Sequence, residues 1–189
     1  MKTAKIIIVL TVITIISGGV LAVLDSFTKP RIESYQNKLK NEAVSQVLPE
    51  GVKVTKIEKE DMTFYKATKN GEDAGYAFQV SGGGYQSDLV LMVGVSPDFS
   101  EILGLKIISQ METPGLGTKI EEDKTNKDDS AWFTRQFVGV KTVPSIIYVK
   151  GKPSKNNEIE AITGATISSA AVVDILNKQI QAAKAVLNN

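Results

Sequence analysis

Residues 6–24, IIIVLTVITIISGGVLAVL, contain no charged side chain, and Lys2 and Lys5 stand ahead of them. A bilayer core is about 30 Å thick and needs about 20 apolar residues to be crossed as a helix. A helix that is apolar on every face has no side to turn toward water, unlike the helix of a soluble core. The run therefore predicts a single membrane anchor over residues 1–27. The Val20–Ala22 step resembles a signal-peptide cleavage site, but the apolar run outlasts a usual signal core, so an uncleaved anchor is expected. Two lysines precede the run, while Lys29, Arg31, Lys38 and Lys40 follow it, so the charge count leaves the side of the membrane open.

Beyond the anchor, the 189-residue chain has room for one folded domain. Its 22 basic and 21 acidic residues give a net charge of +1, which offers no basic field for a phosphate backbone and argues against a nucleic-acid partner. The chain has no Cys and no His. That removes disulfides, iron–sulfur clusters, thioether haem attachment, imidazole metal sites and the usual base of a Ser or Cys triad. No metal site is expected. Any chemistry must come from carboxylates, hydroxyls, lysines, the backbone or a borrowed cofactor.

Pro30 is placed to open a second helix as its first residue. Ile32, Tyr35, Leu39, Ala43, Val44 and Val47 follow near helical spacing and predict an amphipathic connecting helix over 28–50, stopped at Pro49-Glu50-Gly51. The domain proper then spans 51–189. Val52, Val54 and Ile57 begin one strand. Thr63–Thr68 and Gly75–Val80 flank an Asn70-Gly71 hairpin signal. Gly82–Gly84 reads as a turn or bulge before the apolar strand Asp88–Val95, and Pro97-Asp98 turns the chain into Ile102–Ile108. Ala131–Phe137 predicts a short helix, Val143–Tyr148 and Ile159–Ile162 are strand-like, and a final helix starts near Ile167. Short strands joined by tight turns predict an antiparallel sheet, and the fold class is α+β.

Two stretches carry chemical interest. Glu112-Thr113-Pro114-Gly115-Leu116-Gly117 follows a strand, and its glycines allow close backbone approach to a ligand. Glu160–Val173, EAITGATISSAAVV, crowds Thr163, Thr166, Ser168 and Ser169 around a Gly-Ala step before the last helix. Hydroxyls there serve as helix caps. A helix N-terminus also favours phosphate, and a hydroxyl in that position can be esterified by one. Neither a P-loop nor a GxGxxG fingerprint is present.

Thr163-Gly164-Ala165-Thr166 resembles the [S/T]GAT flavinylation motif of the FMN-binding domain family, and Glu112–Gly117 resembles that family's second signature. The order of apolar anchor, strands, ETPGLG, a W-F-x-x-Q-F element (Trp132–Phe137) and TGAT before a final helix extends the resemblance over almost the whole chain. Within the family the chain is most similar to the G-subunit branch of Rnf-type ferredoxin:NAD complexes. The C-subunit branch of sodium-translocating NADH:quinone reductases is the near rival.

The resemblance implies covalent FMN, joined through its phosphate to Thr166 by a flavin transferase. Thr163, Gly164 and Ala165 would shape the turn. Glu112, Thr113, Gly115, Leu116 and Gly117 would lie along the flavin ring; Trp132 would belong to the core or pack near the ring, and Lys119 would be solvated or compensate phosphate or reduced-flavin charge. The same resemblance implies an electron-carrying subunit of an ion-translocating oxidoreductase with no active site beyond the flavin. Its partners would be the other members of a membrane complex, and its domain would lie outside the cytoplasm. The alternatives are a stand-alone membrane-anchored flavin reductase and an assembly module in which TGAT is only a cap. Two positions depart from the family pattern: Glu160 stands where Asp is usual, and Gln110 where His is frequent.

Overall fold

The computed structural model describes residues 2–60 and 62–188. One helix, α1 (Lys2–Val47), opens the chain and is followed by five strands: β1 (Lys53–Lys59), β2 (Met62–Lys69), β3 (Glu72–Gly83), β4 (Asp88–Val95) and β5 (Ile102–Ser109). A 3-10 turn (Gly117–Ile120), the short helix α2 (Trp132–Arg135), strands β6 (Ile147–Val149) and β7 (Glu158–Glu160), and helix α3 (Thr166–Asn188) complete it. By its internal contacts the chain divides into two compact units, one ending at Leu39 and the other beginning at Lys40.

In the first unit, α1 presents Ile6–Leu10, Ile13, Ile15, Ile16, Leu21 and Leu24 outward on all sides. By length and composition it is long and apolar enough to cross a membrane, the one such helix among the described residues. Pro30 does not start a separate helix, because α1 runs through it. The proline removes one backbone donor, while Ser26 and Thr28 hydroxyls bond back to the carbonyls of Val23, Leu24 and Asp25 in the preceding turn. Ile32 and Tyr35, expected on the buried stripe, are exposed, and burial begins at Ala43.

In the second unit, β1 to β5 form an antiparallel meander in sequence order. Asn70 and Gly71 both adopt positive φ, 56° and 89°, as a two-residue hairpin turn requires. Period-two alternation sends Phe64, Phe78, Val80, Leu89, Leu91 and Val93 to one face, where they share a core with Phe133, Phe137, Leu176 and Ile180. Ala67, Ala77 and Met92 point to the other face, against Ala43, Val44 and Val47 at the end of α1. β4 is buried on both faces, which is why its sequence is continuously apolar rather than alternating.

Gly82 and Gly83 belong to β3 and pair with Leu89 and Asp88, so the expected turn is confined to Gly84 and the three residues after it. The strand needs glycine at 82 because a Cβ there would lie 2.6 Å from Ile175 Cγ1 of α3. The strand-like stretch Val143–Tyr148 becomes strand only at Ile147, and the Val143–Pro144 peptide is cis. β6 pairs with β7 in parallel, a second small sheet that leads the chain toward the Gly-Ala turn.

Candidate functional site: a cleft between two glycine turns

The two motif segments, some 50 residues apart in the chain, meet in space. Tyr85, Thr113, Leu116, Gly117, Gly164, Ala165, Thr166, Ile167 and Ser168 line one cleft of about 470 Å³. One wall is the loop leading into the 3-10 turn, and the other is the turn leading into α3. Leu116 N–H donates to the Thr113 carbonyl at 3.1 Å, which curls the first loop. Ala165 N–H donates to the Ile162 carbonyl at 2.9 Å, closing the second, in which Gly164 has a φ of +83° that a side chain would resist. Leu116 Cδ2 lies 3.3 Å from where a Cβ on Gly164 would stand, so the glycine also lets the two loops approach.

The four hydroxyls of the TGATISS stretch divide into two pairs. Ser169 Oγ donates to the Ala165 carbonyl and accepts from Ile162 N–H, both at 3.0 Å, and so ties the start of α3 to the turn before it. Ser168 Oγ donates to Glu112 Oε2 at 2.5 Å. Thr163 and Thr166 make no side-chain hydrogen bond among the described residues. Thr163 is exposed on the turn, and Thr166 is half-buried as the first residue of α3, facing the cleft. Both serines are thus engaged in holding the fold, and Thr166 is left chemically available. Around it are the first-turn N–H groups of α3, which a helix leaves without internal acceptors.

Glu112 is only 3% exposed and does not line the cleft. Its carboxylate accepts backbone N–H groups from Gln86 at 2.9 Å, Ser87 at 3.2 Å and Tyr85 at 3.3 Å, besides the Ser168 hydroxyl. It therefore ties the β3–β4 hairpin, its own loop and the start of α3 to one point. Gly84 and Gly117 make room for it: a Cβ on Gly84 would stand 2.6 Å from Glu112 Oε1, and one on Gly117 2.7 Å from Glu112 Cβ. Burial pushes this carboxyl upward, but the Ser168 hydroxyl and the three N–H donors outweigh it and hold it below its ordinary value.

Behind the same loop, Gly115, Pro114, Gln110 and Lys119 border a second hollow of about 400 Å³. There Asp123, 6% exposed, accepts from Thr125 Oγ1 at 2.5 Å, Thr125 N–H at 3.0 Å and Trp132 Nε1 at 3.3 Å, with Lys119 Nζ at 3.3 Å. The Thr125 hydroxyl, opposed by burial and helped by the Thr125 N–H, Trp132 and Lys119, lowers its carboxyl pKa to about 2. Lys119 and Trp132 thus serve Asp123, and neither lines the cleft. Gln136 of the W-F-x-x-Q-F element accepts from Glu160 N–H at 2.8 Å and donates to the Glu160 carbonyl at 3.2 Å. This two-way clamp fixes β7 just ahead of Thr163. Gln110 accepts from Glu112 N–H at 2.8 Å and donates to Glu121 at 3.0 Å.

A family profile described as the FMN-binding domain matches residues 84–181, a span that begins at the hairpin glycine over Glu112 and ends within α3. The chain belongs to the FMN-binding domain family. Among its relatives, the G subunit of the ion-translocating oxidoreductase complex of Methanosarcina acetivorans is 30% identical over 188 residues, covering 95% of this chain and 93% of that one. The G subunit of the Na(+)-translocating ferredoxin:NAD(+) oxidoreductase complex of Acetobacterium woodii is 32% identical, covering 92% and 88%. Among solved structures, the C subunit of the Na(+)-translocating NADH-quinone reductase of Parabacteroides distasonis shares the fold, with a TM-score of 0.57 at 21% identity, covering 78% of this chain and 92% of that one.

As a site for FMN the cleft is chemically suitable. Its size falls in the usual range for small-molecule sites. Tyr85, Leu116 and Ile167 offer apolar surface to a ring system, the glycine turns allow close approach, and the start of α3 offers N–H groups and a positive dipole end to a phosphate. Of the residues that the resemblance assigned to the cofactor, the cleft gathers Thr113, Leu116, Gly117, Gly164, Ala165 and Thr166. Glu112 lies behind its wall, Gly115 faces the second hollow, and Thr163 sits on the outer turn. Tyr85 and Ile167 escaped the motifs. An aromatic directly after three glycines in a hairpin was the available signal for Tyr85, and Ile167 showed itself only as an apolar residue next to Thr166.

Proposed function

We propose that this chain is a membrane-anchored electron-carrying subunit of an Rnf-type ion-translocating ferredoxin:NAD oxidoreductase, with FMN linked by a phosphoester to Thr166. The observation that carries this reading is the position of Thr166: an unbonded hydroxyl at the first residue of α3, in the cleft where both motif segments meet. The G-subunit relatives, aligned over nearly their full lengths, support the assignment to the complex.

In this reading a bound flavin supplies the redox chemistry, and the protein supplies everything else. The α3 N-terminus offers donors and a dipole to the phosphate, Leu116, Tyr85 and Ile167 shelter the ring, and Glu112 holds the three wall segments together. Thr163 and Gly164, exposed on the turn, present the motif to a flavin transferase. Tethering prevents cofactor loss, which suits a domain placed outside the cytoplasm on the single helix α1. Other members of the complex donate and accept the electrons.

The test is intact mass and in-gel flavin fluorescence after denaturation, on the full chain co-expressed with a flavin transferase. A gain of one FMN less one water, on the peptide holding Thr166, is expected. Thr166→Ala abolishes that gain with thermal unfolding unchanged, because the hydroxyl holds nothing in the fold. Covalent flavin retained in the variant would sink the assignment.

A further inference from the structure

The Glu112 carboxylate is more than a tie point, because of where its charge lies. Gly117 and Ser168 both line the cleft, and the carboxylate lies behind them: Ser168 Oγ is 2.5 Å from Oε2, and a Cβ on Gly117 would stand 3.0 Å from the same oxygen, so the bare glycine leaves no side chain between loop and acid. All its direct partners are neutral, the Ser168 hydroxyl and three backbone N–H groups, and no salt bridge joins it to a cation among the described residues. The neighbouring Asp123 has Lys119 beside it. Glu112 therefore places a negative charge, hydrogen-bonded but with no paired cation, one residue layer from the cleft, in a buried setting where solvent screening is weak.

We propose that Glu112 is a potential-setting residue: its buried carboxylate lowers the reduction potential of a flavin held in the cleft by disfavouring the added electron charge. The proposal rests on FMN occupying the cleft. Reduction brings two electrons from a partner protein of the complex and one proton from solvent, so the reduced flavin carries one more negative charge, and Glu112 neither gives nor takes any of these particles. It acts through its field on the cleft, as a positioning residue and not a catalytic one. Its hydrogen-bonded state, held below the ordinary carboxyl range, keeps the charge in place at neutral pH.

Glu112→Gln is the direct test, since the amide is nearly isosteric. Its oxygen can accept from Gln86 and Ser87 N–H, and its nitrogen can donate to Ser168 Oγ, so the long Tyr85 bond is given up and the Ser168 bond is reversed in direction. Flavin fluorescence after denaturation is read first and reports the attachment site alone. On the loaded protein, spectroelectrochemical titration should then give a higher midpoint potential in Glu112→Gln than in wild type, and in Glu112→Asp, which keeps the charge, a potential nearer to wild type than that of Glu112→Gln. Equal potentials in wild type and Glu112→Gln would overturn the proposal. Should Glu112→Gln fail to load flavin, the wild-type holoprotein gives a second reading. Coupling between two charges is reciprocal, so redox-difference infrared spectra with isotope-labelled glutamate must show a carboxylate band that shifts on flavin reduction. A spectrum without such a band would overturn the proposal as well.

Discussion

On the sheet face that carries the cleft, Phe64, Phe78, Leu91 and Val93 share a core with Leu176 and Ile180 of α3, large side chains filling the space between sheet and helix. On the opposite face, Ala67, Ala77 and Gly94 meet the last turn of α1 almost backbone to backbone. A Cβ on Gly94 would lie 2.0 Å from the Val47 carbonyl oxygen, and one on its strand partner Gly104 would lie 2.7 Å from Val47 Cα. Side-chain packing can absorb a small change by repacking, whereas backbone contact has nothing to move. The end of the helix that begins as an apolar run is thus seated by absent side chains, while the cleft-bearing face is held by present ones.

Changing one methyl group on each face gives the sharpest comparison. Gly94→Ala should be the larger effect, a loss of about 3 kcal/mol or more, because the added carbon forces α1 off the sheet. Ile180→Val removes a methyl from the cleft-side core and should cost roughly 1 kcal/mol. Chemical unfolding of the full chain in detergent measures both, and equal losses would break the contrast.

Acid provides a smaller and separate probe. The α1 seam is built of Ala, Val, Leu and Met, with no buried carboxylate among its described residues. The cleft side holds Asp123, whose folded pKa is about 2 against an ordinary 3.8. A depressed folded pKa means that the stability it brings is present above the unfolded value and is lost as the pH falls from there toward 2. Trp132, the chain's one tryptophan, donates to Asp123, so its fluorescence should change over that window. Asp123→Asn should flatten the change, and an unaltered titration in that variant would assign the acid response elsewhere.

Much of the fold was legible locally. The Asn70-Gly71 turn, the continuous apolar run of β4 and the start of α3 follow from turn chemistry and hydrophobic pattern, which need only neighbours in sequence. The cleft was legible in part. TGAT and ETPGLG marked its two walls, but nothing near Glu112 in the chain shows that its carboxylate turns away from the cleft to bind residues 25 to 56 positions distant. Gly82 is ambiguous for a related reason: a glycine that admits Ile175 looks, in sequence, like a glycine that makes a turn or bulge. At Pro30 a local helix-start signal is overruled by a helix that continues past one missing bond.

By itself the sequence determined the apolar N-terminal helix, the order of elements, the absence of cysteine and histidine chemistry, and the two motifs that name the family. These are properties of composition and of spacing along the chain, and they survive without any knowledge of what touches what. Only the tertiary structure decided which hydroxyl is left unbonded, which acid stands behind the cleft wall, and which glycines seat a helix. Each of those depends on contacts between distant segments, and a one-dimensional pattern carries no record of the distances that make them.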